Sequence, residues 1–158
     1  MKICFVCHAN VCRSFIAQEL LKKFIKDSSI ADIEVISRGI FAFEDYPMPQ
    51  KNIDFLLKNG IVYTAHTPTL IAKYDIATSD LILVMTAKQL EILTDKYAEF
   101  TDKIHLFLEF AENKNFDMED PINKNGKKFE AIGLKIKTAV FNIAKKLNLI
   151  NLTSTKSL

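Results

Sequence analysis

The sequence predicts a three-layer αβα fold, in which helices cover both faces of a four-stranded parallel β-sheet. Short apolar runs of strand length alternate along the chain with segments whose apolar residues recur every three or four positions. Residues 81–85 are apolar throughout, which is typical of a strand covered on both faces. The 158 residues, 49% of them hydrophobic, are enough for one domain with a continuous core.

Each element follows from the local pattern. The apolar run at residues 2–7 predicts the first strand, and the periodicity becomes helical from Arg13 onward. A second strand is predicted at 33–36 and a helix at 50–59, which Gly60 ends. Because strands alternate with helices, parallel pairing with right-handed crossovers is favoured. The remaining predicted elements are a strand at 81–85, a helix at 87–97, a short strand at 104–107 and a long amphipathic helix at 128–149.

Composition and charge narrow the function classes. We expect one domain over residues 1–150 and a disordered polar tail at 151–158. The net charge of +2 provides no basic stripe for a nucleic acid. No apolar run reaches the length of a membrane span, and His8 interrupts the first run too early for a signal peptide. We therefore expect a cytoplasmic monomer with no nucleic-acid or membrane partner.

The three cysteines lie at positions 4, 7 and 12, and this odd, clustered set is a poor disulfide framework. Cys4 and Cys7 have the C-x-x-C spacing of some metal sites. A structural zinc site would need two more ligands, and His66 and His105 are isolated in the sequence. We therefore expect neither a metal nor a cofactor.

The segment of residues 7–14, Cys-His-Ala-Asn-Val-Cys-Arg-Ser, joins the first strand to the first helix, at the sheet edge where ligands bind. Such a loop can turn its N–H groups inward and form an anion-sized nest at the helix N-terminus. The helix N-terminus favours the thiolate of Cys7, Arg13 can hold two oxygens of a tetrahedral anion, and Ser14 can donate to the sulfur. The pattern predicts a phosphate-binding loop, although a cysteine ending a strand and an arginine opening a helix also occur together by chance. The other predicted substrate-binding residues of the loop are His8, Ala9, Asn10, Val11 and Cys12.

The loop resembles that of the low-molecular-weight protein tyrosine phosphatase family, which reads C-x-G-N-x-C-R-S-P. The resemblance extends to about residue 149 and implies the strand order 2-1-3-4, with the phosphate-binding loop between strand 1 and helix 1. The further segments that resemble the family, in its order, are Ser37-Arg38-Gly39, Gly60-Ile61, Thr64-Ala65-His66, residues 80–85 and Glu119-Asp120-Pro121.

The resemblance also implies a role for each site residue. Asp120 would protonate the leaving oxygen and then activate the water that hydrolyses a phosphocysteine at Cys7. On the residues alone, an Asp-Pro pair more often starts a turn. The resemblance assigns supporting roles to Asn10, Ser14, Ser37 and His66, with Ser37 and His66 hydrogen-bonded to Asn10 or its neighbours. A reversible disulfide between Cys7 and Cys12 would shield the nucleophile from over-oxidation.

The chain departs from the family pattern around the loop. Ala9 replaces the usual glycine, at a cost of roughly 1 kcal/mol if its φ is positive. Phe15 replaces a proline and is expected to add apolar surface near the mouth of the site. Ile122 and Asn123 replace the tyrosine pair of many relatives. Phe43 looks aligned with the aromatic residue that lines the cleft in relatives. Phe43 and its neighbours Phe41 and Tyr46 either stack on a substrate ring or cap the core.

The leading prediction is hydrolysis of tyrosine-phosphorylated proteins, with inorganic phosphate as product and vanadate as inhibitor. Arsenate reductases of this scaffold need later cysteines, and none follows Cys12. Protein arginine phosphatases of the family favour Thr where this chain has Val11, and an arginine phosphatase remains the first alternative. The second alternative is a phosphate-binding or phosphoprotein-binding module without turnover.

Overall fold

The computed structural model describes residues 1–63 and 65–150. The tail predicted at 151–158 and Thr64, the first residue of the Thr64-Ala65-His66 segment that resembles the family, lie outside the described residues. Four parallel strands form one sheet in the order β2-β1-β3-β4. Both the fold class and the strand order that were predicted are therefore confirmed. The strands are β1 (Lys2–Cys7), β2 (Glu34–Gly39), β3 (Leu81–Val84) and β4 (Ile104–Leu106).

Helices cover both faces of the sheet. Alternation along β1 sends Ile3 and Phe5 into one core and Cys4 and Val6 into the other. The first core lies under α1, α2, α5 and α6, and the second lies under α3 and α4. None of the helices in the described part of the chain is both long enough and apolar enough to cross a membrane. The helices are α1 (Arg13–Asp27), α2 (Gln50–Lys58), α3 (Lys73–Thr78), α4 (Ala87–Lys96), α5 (Phe107–Glu112) and α6 (Gly126–Lys146), with a 3-10 helix at Ala98–Lys103.

The long elements agree with the sequence prediction, and the differences have local causes. Helix α6 begins two residues earlier than predicted, because the Asn125 side chain accepts a hydrogen bond from Lys128 N at 3.0 Å and caps the helix. It ends at Lys146, before residue 149, and Asn148 follows with a left-handed φ of 56°. Helices α3 and α5 were not predicted, because six residues are too few to display a helical period.

The sheet topology places the loop between β1 and α1 at a switch point. Strand β1 is central, and the chain continues to β2 on one side and later to β3 on the other. Ligands bind in the crevice at such points in open α/β sheets. The end of β2 approaches the loop so closely that a Cβ added to Gly39 would lie 2.7 Å from the carbonyl oxygen of His8. Only glycine fits there without displacing the loop.

Candidate active site

The segment of residues 7–12, which ends β1 and forms the loop, is held by hydrogen bonds to its carbonyl oxygens. Two carbonyl oxygens accept from backbone N–H groups just after β2. Two more accept from the side chains of His66 and Asn52, and the last accepts from a backbone N–H of α1. The five bonds run from Ile40 N to Cys7 O at 3.0 Å, from Phe41 N to His8 O at 2.9 Å, from His66 Nε2 to Asn10 O at 2.7 Å, from Asn52 Nδ2 to Val11 O at 2.7 Å and from Ile16 N to Cys12 O at 2.8 Å.

This anchoring determines where the loop N–H groups point. In a planar trans peptide the carbonyl and the next N–H point in opposite directions. Carbonyls tied to the surrounding protein therefore turn the N–H groups toward the inside of the loop. The N–H groups of residues 8–12 form no hydrogen bond to another described residue. Together with the N-terminus of α1, they make a concave cluster of donors suited to a tetrahedral anion.

Asn10 is the central support of the loop. It is fully buried and has a left-handed φ of 57°, a conformation that asparagine tolerates. Its Nδ2 donates to Ser14 Oγ at 3.0 Å and to Ser37 Oγ at 2.9 Å, while its Oδ1 accepts from Thr69 N at 2.9 Å. The contact expected of Ser37 is therefore present. The φ of Ala9 is not positive, so the strain considered for an alanine at that position does not arise.

The Cys7 sulfur lies 3.0 Å from Ser14 Oγ. Because Asn10 Nδ2 already donates to this hydroxyl oxygen, the hydroxyl hydrogen can be donated to the sulfur. Cys7 is 3% exposed and ends β1, directly before the loop that leads into the N-terminus of α1. A directed chain of hydrogen bonds therefore runs from Asn10 through Ser14 to Cys7.

Arg13 and Asp120, 107 residues apart in the chain, form an ion pair in which the guanidinium NH2 group donates to Asp120 Oδ2. The NH1 group of Arg13 donates to Met118 O at 3.0 Å. Its Nε is buried and has no hydrogen-bond partner among the described residues, so a donor remains for an anion. Asp120 Oδ1 accepts from Ile122 N at 3.1 Å, and the carboxyl side chain is 44% exposed. The predicted proton donor thus lies beside the predicted anion clamp.

His66 acts as a donor to the loop. A carbonyl oxygen only accepts, so His66 Nε2 must carry the hydrogen in its bond to Asn10 O. Burial lowers the pKa of His66, which favours the neutral ring in this role. Phe15 stacks on this ring with the centroids 4.0 Å apart and is itself only 3% exposed. The expectation that Phe15 adds apolar surface at the mouth is therefore wrong, because the ring packs beneath His66.

Exposed aromatic side chains stand next to the loop. Phe41 stacks on His8 with the centroids 5.6 Å apart, and Phe43 meets Phe41 edge-on at 5.0 Å. Phe41 is 57% exposed, Phe43 59% and Tyr46 42%. These side chains therefore do not cap the core, and their stacking on a substrate ring stays a prediction. Ile122, on the Asp120 side, is half-buried.

The three cysteines are free and buried. Burial raises the pKa of the Cys12 thiol to about 12, and the pKa of Cys4 also to about 12, so both are thiols at neutral pH. The Cys7–Cys12 disulfide stays a prediction. Among the described residues, no group of three or more histidines, cysteines and carboxylates is arranged to hold a metal ion.

Two contributors to the site were missed by the sequence reasoning. Asn52 of α2 is fully buried and bonds the loop at Val11 O. Its signal was a polar residue on the same helix face as the buried Phe55 and Leu56, at spacings of three and four. Met118 orients Arg13 through its backbone carbonyl, and a backbone contact of this kind leaves no signal in the sequence.

Comparison with known proteins gives a consistent result. The sequence model of the family described as low molecular weight phosphotyrosine protein phosphatase matches residues 2–150. The low molecular weight phosphotyrosine protein phosphatase of Sus scrofa is 32% identical over 82% of this chain and 85% of its own length. A protein-arginine-phosphatase of Geobacillus stearothermophilus is 27% identical over 92% of this chain and 95% of its own. The crystal structure of the low molecular weight protein tyrosine phosphatase from T. tengcongensis superposes with a TM-score of 0.86 at 28% identity, covering 92% of this chain and 99% of that one. This chain belongs to the low molecular weight phosphotyrosine protein phosphatase family.

Proposed function

We propose that this protein hydrolyses phosphotyrosine in proteins through a phosphocysteine intermediate at Cys7. The observation that carries the proposal is that the loop between Cys7 and Arg13 has backbone N–H groups with no partner among the described residues, while Ser14 contacts the Cys7 sulfur and Asp120 pairs with Arg13. Cys7 and Arg13 of the loop, with Asp120 from 107 residues further along the chain than Arg13, supply a nucleophile, an anion clamp and a proton carrier.

In the first step, the Cys7 thiolate attacks phosphorus, the bond from phosphorus to the aryl oxygen breaks, and Asp120 gives its proton to that oxygen. The loop N–H groups and Arg13 hold the three non-bridging oxygens, on which charge develops. Arg13 has to exchange at least part of its contact with Asp120 for contact with the phosphoryl group. This exchange leaves the carboxyl group next to the leaving oxygen.

In the second step, the Asp120 carboxylate takes a proton from water, the water oxygen attacks phosphorus, and the bond from sulfur to phosphorus breaks. Cys7 leaves as a thiolate, which the hydroxyl of Ser14 at 3.0 Å stabilises. Inorganic phosphate is released. One carboxyl group can serve both steps because it is deprotonated by the first and ready to act as a base in the second.

Two features favour an aryl phosphate ester, rather than a phosphorylated arginine, as the substrate. Val11 puts an apolar residue at the loop position where arginine phosphatases of the family favour Thr, so it offers no hydroxyl to a guanidinium. The exposed ring of Phe41 lies against His8, and the exposed ring of Phe43, a proposed substrate-binding residue, lies against Phe41, so both can stack on a phenyl ring. An arginine phosphatase remains the rival function, because a relative with that name matches most of the chain.

We also propose that residues 1–150 act as a single domain and that the protein is a monomer of the cytoplasm. Three free, reduced cysteines within a span of nine positions suit a reducing compartment. The site uses residues of one chain only, which is consistent with activity as a monomer.

The test compares initial rates on peptides that carry phosphotyrosine, phosphoserine or phosphoarginine, for the wild type and for Cys7→Ser. We expect the highest kcat/KM on phosphotyrosine and no turnover by Cys7→Ser. Cys4→Ala is the matched control, because Cys4 lies on β1 but faces the opposite core. A preference for phosphoarginine would favour the rival function. Binding of phosphate without turnover of any peptide would favour a binding module.

A further inference from the structure

The side chain of Asn52 supports the loop, and the family motifs do not include it. It is fully buried in the first turn of α2, and its Nδ2 donates to Val11 O at 2.7 Å. The same nitrogen lies 3.4 Å from Cys12 Sγ and 3.1 Å from Met48 Sδ. The oxygen is the nearest and strongest of these three acceptors, so the bond to Val11 dominates.

This bond controls one peptide plane. The carbonyl of Val11 and the N–H of Cys12 belong to the same planar trans peptide and point in opposite directions. By holding the carbonyl on the α2 side, Asn52 aims the Cys12 N–H at the inside of the nest. Of the other fixed carbonyls of the loop, three are tied to backbone groups and one to His66. The Val11–Cys12 peptide therefore depends on one side-chain amide.

Packing alone does not account for an asparagine at this position. Asn52 Oδ1 is buried and has no hydrogen-bond partner among the described residues, which costs free energy of folding. A leucine has nearly the same shape and would remove the unpaired Oδ1, but it would also leave Val11 O without its donor. Asparagine therefore has no clear stability advantage over leucine, and the donor to Val11 O is what distinguishes it.

We propose that Asn52 is a positioning residue of the active site, which orients the Val11–Cys12 peptide so that the Cys12 N–H binds the phosphoryl group. The inference rests on the proposed function, because it assigns a task within that anion site. Asn52 touches no reacting atom and acts only through the loop.

The test uses Asn52→Leu, with Asn52→Ala as a second variant if the first fails to fold. The readouts are the dissociation constant of inorganic phosphate by calorimetry, kcat/KM on p-nitrophenyl phosphate, and the melting temperature. We expect Asn52→Leu to bind phosphate roughly tenfold more weakly and to lose a similar factor in kcat/KM. Its melting temperature should stay close to that of the wild type, because the removal of the unpaired Oδ1 offsets the loss of the bond to Val11 O. A purely structural asparagine would not separate binding from stability in this way.

Asn59→Ala is the matched control, because Asn59 lies at the C-terminal end of the same helix and donates to Phe55 O at 2.8 Å, away from the loop. It should change phosphate binding by less than twofold. Phosphate binding by Asn52→Leu within twofold of the wild type would overturn this inference and leave the proposed function standing. A wild-type protein that binds no phosphate would overturn both.

Discussion

Replacing Ser14 with alanine tests the hydrogen-bond chain that ends on the nucleophile. Ser14 Oγ lies 3.0 Å from Cys7 Sγ and accepts from Asn10 Nδ2, so its hydrogen serves the sulfur. A hydrogen bond to a charged group contributes about 1.5–3 kcal/mol, which corresponds to roughly a 10- to 150-fold change in rate. The loss falls on the step in which Cys7 leaves phosphorus as a thiolate. We therefore expect kcat on p-nitrophenyl phosphate to fall by that factor.

The assay for Ser14→Ala combines steady-state kinetics with the rate at which iodoacetate alkylates Cys7 at neutral pH. Both should fall, and Ser14→Thr, which keeps the hydroxyl, should recover much of the loss. Ser79→Ala is the matched control, because its buried hydroxyl donates to Asp75 O at 2.7 Å, at the other end of β3 from the loop. A Ser14→Ala protein that keeps both the wild-type kcat and the wild-type rate of Cys7 alkylation would refute the reasoning.

Three further predictions address the proton carrier, the histidine and the close approach of β2. Asp120→Ala should lower kcat/KM, which reports the first step, by about 10²- to 10⁴-fold on phenyl phosphate, whose leaving group is poor, and far less on p-nitrophenyl phosphate; equal losses of kcat/KM on both would argue against a general acid. Burial lowers the pKa of His66 below its unfolded value of 6.5, so the unfolded chain binds the proton first. Stability should therefore decline as the pH falls below about 6.5, and His66→Gln should flatten that part of the melting profile; an unchanged profile would contradict this. Gly39→Ala should destabilise the fold by about 1–3 kcal/mol in denaturant titrations and weaken phosphate binding, because its Cβ would lie 2.7 Å from His8 O. Gly126→Ala is the control. Its Cβ would meet nothing within 4 Å, so the substitution should be neutral or stabilising.

The sequence was sufficient to predict those elements whose pattern lies within one short segment of the chain. Strands buried on both faces are continuous apolar runs, and long amphipathic helices repeat their apolar residues over several turns, so the sheet and the helices α1, α2, α4 and α6 could be predicted. Cys7 and Arg13 stand close together in the chain and therefore form a readable motif. The six-residue helices α3 and α5 carry too few residues for a period to emerge.

The parts of the site that could not be predicted depend on tertiary contacts. Asn52 reaches Val11 from 41 residues away, and Met118 reaches Arg13 through a backbone carbonyl. Phe15 was expected at the mouth because it follows the loop motif directly. It turns inward because His66, from the segment after α2, provides a ring to stack on. Such pairings depend on where the fold brings distant segments together.

The position of the phosphoryl group during turnover tests the central claim most directly. Asp120→Ala lacks the base for the hydrolysis step, so it should accumulate the phosphorylated intermediate when mixed with p-nitrophenyl phosphate. The reaction can then be quenched, and the phosphorylated residue can be identified by peptide mass spectrometry. The account predicts phosphate on the sulfur of Cys7 and on no other residue, with no label in the double variant that also carries Cys7→Ala. Phosphate on another side chain, or turnover by Cys7→Ser at the wild-type rate, would contradict it.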